Sequence, residues 1–174
     1  MTKAAKLVLD SGEFELPIVV GTEGNRAIDI TKLYRDTGYI TLDDGFANTG
    51  ATRSNITYID GEEGILRYRG YRIDEIAERC DFTETAYLLI YGELPTGEQL
   101  EEFRRSIRSH TLLHEGMKNI FAGFPPEAHP MAILGSVVGA LAIYSPDSLE
   151  VGDPEQVELA IHRMLAKMPT IAAF

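Results

Sequence analysis

The sequence predicts a mainly α-helical fold preceded by a small β-rich segment. Two observations on the helical side carry this. From Ile73 onward apolar residues recur at helical spacing, with Ile73, Ile76 and Ala77 on one face at i, i+3, i+4. The pairs Asp81/Glu84 and Thr96/Gln99 each have the residue types and spacing of a capping box, a signature of a helix start. A third observation concerns the front of the chain, where runs such as Phe14-Glu-Leu-Pro-Ile-Val-Val20 have strand composition instead. The expected organisation is a β-rich N-terminal region at 1–66 and a helical region at 67–174.

In chain order, Lys6–Leu9 and Phe14–Val20 read as strands with Ser11-Gly12 as the turn between them. Ile30–Tyr34 has the length for a helical turn or two. Tyr39–Leu42 and Ile56–Ile59 are strand-like. The polar, glycine-containing stretch between Asp43 and Ser54 reads as a loop. Asp60-Gly61 opens a tight turn before Ile65-Leu66. Asp81 then caps a helix that stops at Gly92. Thr96 caps another, whose Leu100, Phe103 and Ile107 form a stripe opposite Glu101, Glu102, Arg104 and Arg105. A shorter helix at His114–Phe121 is stopped by Gly123-Phe-Pro-Pro126. Pro130 starts an apolar helix that Ser145-Pro146 ends, because proline fits a first turn and breaks an interior one. Asp153-Pro154 starts the last helix in the same way, and Pro169 is expected to end or kink it.

With 174 residues, 44% of them hydrophobic, the chain can bury a substantial core as one domain or a little more. A formal net charge of −11 argues against a nucleic-acid partner, since phosphate binding needs a basic face. Cys80 is the lone cysteine, which fits a reducing compartment. The opening Met1-Thr-Lys-Ala-Ala-Lys6 lacks the apolar core of a signal peptide. The longest apolar run, Met131–Tyr144, is shorter than the roughly 20 residues needed to span a bilayer. The expectation is a soluble, cytoplasmic protein with no membrane partner.

Three features invite chemistry. His110 and His114 stand at i, i+4, as in zinc peptidases, but the acid Glu115 follows the pair instead of lying within it. No third ligand is evident, so no metal is expected. Gly135 and Gly139 put small residues four apart in the apolar helix, which suits either a central core helix or one buried between subunits. Arg163 and Lys167 lie one turn apart near the end of the last helix, as a solvated basic face or as a phosphate-binding pair.

Several words in this chain are distinctive: Gly64-Ile-Leu-Arg-Tyr-Arg-Gly-Tyr-Arg-Ile-Asp-Glu-Ile-Ala77, Tyr87-Leu-Leu-Ile-Tyr-Gly-Glu-Leu-Pro-Thr96, His129-Pro-Met131 and Leu165-Ala-Lys-Met-Pro-Thr-Ile-Ala-Ala173. In these the chain resembles the citrate synthase family, from about Leu7 to the last residue, and most closely its hexameric bacterial type. The resemblance implies the front portion of an acyltransferase that condenses acetyl-CoA with oxaloacetate, with the helices of the family's large domain behind the β-rich segment. The family's proton-abstracting carboxylate, its polarising histidines and its carboxylate-clamping arginines come from a later part of the chain. No catalytic residue and no cofactor is therefore assigned, and the 174 residues alone are expected to be inactive and truncated.

The resemblance also implies a dimer sealed by helix pairs, assembled as a trimer of dimers in the hexameric form. Met131, Gly135, Val138, Gly139 and Ala142 lie on the matching interface helix. Many hexameric members bind NADH as an inhibitor. Their binding residues match His110, Thr111, Arg163 and Lys167 here, whereas Ser109 and Ser145 replace an Arg and a Tyr of the inhibited members. Losing one charge and one ring predicts weak or absent NADH binding. A 2-methylcitrate synthase portion, or a non-catalytic assembly or nucleotide-sensing module, would fit the same residues. The intact mass of the natural product separates these readings.

Overall fold

The structure, a computed structural model, describes residues 4–174. The first residues of the 1–66 region, which include half of the Met1–Lys6 stretch, lie outside the described residues. The chain forms two compact units, Met1–Ser54 and Asn55–Phe174. Among the described residues are seven α-helices and two three-stranded antiparallel sheets.

In the first unit, β1 (Ala4–Leu9) and β2 (Gly12–Val20) form a hairpin, and β3 (Arg26–Ile28) adds to β2. The register pairs Leu7 with Phe14 and Ala5 with Leu16, so one face collects the apolar side chains and Val8 points to solvent. Pro17 is tolerated in β2 because it stands near the ladder's end, opposite Ala4. The helical turn expected at Ile30–Tyr34 appears a little later, as α1 (Leu33–Thr37), with Leu33 buried.

Tyr39–Leu42 does not form the expected strand. Among the described residues no neighbouring strand takes its N–H and C=O groups, and Ile40 and Leu42 are 76% and 87% exposed. The following segment is a loop, organised by Asp43. Its carboxylate accepts hydrogen bonds from Ala47 N at 3.2 Å, Asn48 N at 2.8 Å and Thr49 Oγ1 at 2.8 Å.

The second unit begins with β4 (Thr57–Asp60), β5 (Ile65–Tyr68) and β6 (Tyr71–Arg72). β5 and β6 are joined by Arg69-Gly70, both at positive φ (50° and 92°), as a two-residue hairpin turn requires. Arg69 thus sits where glycine or asparagine is usual. Its guanidinium donates to the carbonyl of Leu89 from Nε at 3.3 Å and Nη2 at 2.7 Å.

The helices follow as α2 (Ile73–Arg79), α3 (Phe82–Tyr91), α4 (Gly97–Ser109), α5 (Met117–Ala122), α6 (Pro130–Tyr144) and α7 (Pro154–Ala173). A single 3₁₀ turn, Pro146–Leu149, separates the last two. Both expected capping boxes are formed. The short helix starts at Met117 and not at His114, because His114 Nδ1 accepts the N–H of Gly116 and holds that stretch as a turn. Pro169 does not end α7, which runs on to Ala173. Thr170 Oγ1 donates to Thr111 O at 2.9 Å and Ile171 is buried, so packing carries the helix past the missing N–H.

Met117, Val137 and Ile171 form the buried centre of this unit, with Leu113, Ile120, Phe121 and Leu134 packed around them. No helix among the described residues is long and apolar enough to cross a membrane.

Candidate functional site

The apolar helix α6 is set by its N-terminal cap. Pro130 occupies the first turn, and His129 Nδ1 accepts the N–H of Met131 at 3.2 Å. One side of α6 packs on the core through Val137, which is wholly buried. The other side is uncovered in the single chain. Met131 is 65% exposed, and a Cβ placed on Gly135 or Gly139 would meet no atom within 4 Å. Val138 and Ala142 are half-buried at the border of this face and line a cavity of about 220 Å³.

That cavity lies between α6, the 3₁₀ turn and α7. Asp153 caps α7 by accepting the N–H of Glu155 at 3.0 Å, and Pro154 fixes its first turn. The resulting helix places Arg163 and Lys167 one turn apart on the cavity wall. The 3₁₀ turn brings Asp147 to Arg163, with Nη1 2.8 Å from Oδ2. This bond holds the Asp147 carboxyl below its ordinary range.

Lys167 Nζ donates to the carbonyl of His110 at 3.0 Å and also to that of Leu112. Partial burial, with Arg163 adding repulsion, lowers its basicity. Thr111 belongs to the same junction. Its carbonyl accepts from Thr170, and its hydroxyl donates to Arg108 O at 3.1 Å.

The structure therefore ties His110 and Thr111 to the C-terminal half of α7 through Lys167 and Thr170, with Arg163 one turn before Lys167 and Ser145 opposite on the cavity wall. Ser109 is exposed, and its hydroxyl donates to Ser106 O. Two cations, two serine hydroxyls (Ser145 and Ser148) and an apolar wall suit an anionic group beside an apolar one. Both cations are engaged, so an incoming anion must displace Asp147 from Arg163 and two carbonyls from Lys167. His114 is elsewhere occupied, stacked on Tyr144 with ring centroids 4.5 Å apart.

A second cavity of about 290 Å³ opens between α3, α4 and α7. Its walls include Tyr91, Ser106, Glu158 and His162, none of which the sequence reading singled out. The available signal was Glu158 and His162 at i, i+4 on α7. Their partners, 56 to 71 positions away in sequence, gave none.

Comparison with known proteins follows the same outline. Residues 45–174 match the family model described as "Citrate synthase, C-terminal domain". Citrate synthase 1 of Mycobacterium tuberculosis is 55% identical over 170 residues, covering 98% of this chain and 39% of that protein. The crystal structure of citrate synthase from Pyrobaculum aerophilum superposes with a TM-score of 0.64 at 33% identity, covering 88% of this chain and 36% of that one. The citrate synthase of Thermoplasma acidophilum, solved as a ternary complex with carboxymethyl coenzyme A and oxaloacetate, shares the fold with a TM-score of 0.65 at 24% identity, over 75% of this chain and 34% of that one. The chain thus spans about two fifths of the length of the curated relative.

Proposed function

The chain belongs to the citrate synthase family, and from that premise we propose that it supplies scaffold and subunit contacts to an acyltransferase that condenses acetyl-CoA with oxaloacetate. The observation that carries this reading is the 55% identity over 170 residues to a citrate synthase of which those residues are 39%. Residues 67–174 then form the helical part of the large domain, behind the β-rich region at 1–66. The proton-abstracting and carbonyl-polarising groups belong to sequence outside these 174 residues, so the chain alone is inactive.

The uncovered face of α6 supports self-association. A helix apolar on all sides needs cover on all sides, and Met131, Gly135 and Gly139 have none within the single chain. With Val138 and Ala142 they form the surface we assign to a second copy. The cavity at Arg163 and Lys167, with His110 and Thr111, is the corresponding place for a regulatory nucleotide such as NADH. Engagement of both cations favours weak binding there.

Thiol release from acetyl-CoA in the presence of oxaloacetate tests the reading. The 174-residue chain should give background only, and the longer natural product should give citrate and free coenzyme A. Citrate from the pure chain, or none from the longer product, overturns it. Propionyl-CoA as the better donor would make the enzyme a 2-methylcitrate synthase. A natural product of only 174 residues would favour a non-catalytic assembly module.

A further inference from the structure

We propose that Ser106, His162, Tyr91 and Glu158 form an acid-sensitive clasp that holds α7 to α3 and α4. Two of its three hydrogen bonds meet at one imidazole. Ser106 Oγ lies 2.7 Å from His162 Nδ1, and Tyr91 Oη lies 3.0 Å from His162 Nε2. Tyr91 Oη donates in turn to Glu158 Oε1 at 2.8 Å. The edge of Phe103 packs against the imidazole, with centroids 5.1 Å apart.

The chemistry of the groups fixes the direction of every bond. A carboxylate only accepts, and a phenol has one hydrogen. The Tyr91 hydrogen goes to Glu158, so the Tyr91 oxygen can only accept from the ring. Nε2 therefore carries the hydrogen of the neutral imidazole, and Nδ1 is bare. A bare Nδ1 accepts from the Ser106 hydroxyl. The chain then runs one way, from Ser106 on α4 through His162 on α7 and Tyr91 on α3 to Glu158 on α7.

A proton arriving at Nδ1 breaks this order. Nδ1 becomes a donor, and the Ser106 hydroxyl must turn its hydrogen elsewhere. The ring also becomes a cation in a half-buried place. The groups facing it are Tyr87 and Tyr91 from α3, Gln99 and Glu102 from α4, and Glu158 from α7, with His110 at the end of α4. Glu158 favours the cation, while burial and His110 oppose it, and burial is the largest influence. The ring therefore stays neutral further into acid than a free histidine does. Tyr91 remains a donor at high pH, because burial and Glu158 push its phenol up.

The sign follows. In the unfolded chain His162 takes its proton near pH ~6.5, and in the folded chain only below that. Across the interval between the two, each fall in pH favours states in which α7 has let go. The cavity beside the cluster gives water access to the ring. Arg163 and Lys167 follow on the same helix, so loosening at His162 also loosens the wall of the cavity they line.

The test uses the 174-residue chain with ¹⁵N-labelled histidine. Long-range proton–nitrogen spectra at neutral pH should show His162 as the Nε2–H tautomer, titrating below an ordinary histidine. Melting temperature should fall between neutral pH and about pH 5 by several degrees more in the parent than in His162→Gln. Ser106→Ala keeps a good helix former in α4 but removes the donor to Nδ1, so His162 should titrate higher. An Nδ1–H tautomer, an equal acid loss in His162→Gln, or an unmoved titration in Ser106→Ala overturns the clasp. Should His162→Gln fail to fold, the tautomer and the Ser106→Ala titration decide.

Discussion

The guanidinium of Arg69 is bonded to the carbonyl of Leu89, so a hairpin turn closes the end of a helix 20 positions further along the chain. One residue does two jobs here. Its backbone takes a positive φ that the turn demands, and its side chain satisfies a carbonyl that the last turn of α3 leaves open.

Arg69→Asn should separate these jobs. Asparagine tolerates the backbone conformation but cannot reach Leu89, so a loss of about 1.5–3 kcal/mol is expected from the charged hydrogen bond. Arg69→Ala should cost more, because it adds backbone strain. Urea unfolding midpoints measure both. Equal midpoints for parent and Asn variant would rule out the capping role.

Asp81 accepts the N–H of Glu84 at 2.9 Å and also receives Arg104 Nη2. The backbone bond from Glu84 is the largest of the influences that hold its carboxyl below the ordinary carboxylate range. A carboxyl held below its unfolded value contributes stability that is present above that value. The contribution fades as pH falls through the folded value. Asp81→Ala should therefore cost about 1 kcal/mol near neutrality, as for a lost helix cap, and little in strong acid. A cost that persisted unchanged below the carboxylate range would contradict this.

Pro169→Ala should stabilise the chain. Residue 169 is exposed and inside α7, so alanine restores an N–H that can donate to Leu165 O without leaving a buried hole. The expected gain is about 2 kcal/mol, the interior cost of proline less the freedom that proline removes from the unfolded chain. Denaturant midpoints for the two chains settle it, and a destabilised variant would refute it.

Gly139→Leu tests the α6 surface. The position is open in the single chain, so folding should survive while self-association weakens. Sedimentation of the parent as a dimer or larger, and of the variant as a smaller species with the same circular dichroism, is expected. A parent that stays monomeric at all concentrations removes the interface assignment.

NADH binding should be weak and salt-sensitive, since its surviving contacts are ionic. Asp147→Asn should raise affinity several-fold by releasing Arg163, and Ser109→Arg with Ser145→Tyr should raise it further. Titration calorimetry on the full-length protein, at low and physiological salt, reads both effects. Tight binding by the parent, or no gain in either variant, would show the site to be misplaced.

What could be read from the sequence was what local chemistry decides. A capping box joins residues three apart, so Asp81/Glu84 and Thr96/Gln99 were visible, as was the proline-led start of α6. Tyr39–Leu42 had strand composition, but a strand exists only with a partner, and composition does not report one. Pro169 does not end α7 for a related reason, because Thr170 and Ile171 hold the helix in place through distant contacts. In the candidate site, the spacing of Arg163 and Lys167 was plain. Their neutralising partners, Asp147 and the carbonyls of His110 and Leu112, were not.

α7 takes part in most of the long-range polar contacts of the helical unit. Glu158, His162, Lys167 and Thr170 find partners 55 to 71 positions earlier in the chain. Contacts of such separation close late in folding, because the loop entropy must be met first. A ribosome delivers them late as well. Until residue 170 has left the exit tunnel, Tyr91, Ser106 and the carbonyls after α4 wait in water for partners not yet made. The helical unit is therefore expected to acquire its fixed tertiary order only near the end of this stretch of synthesis, in one closing step.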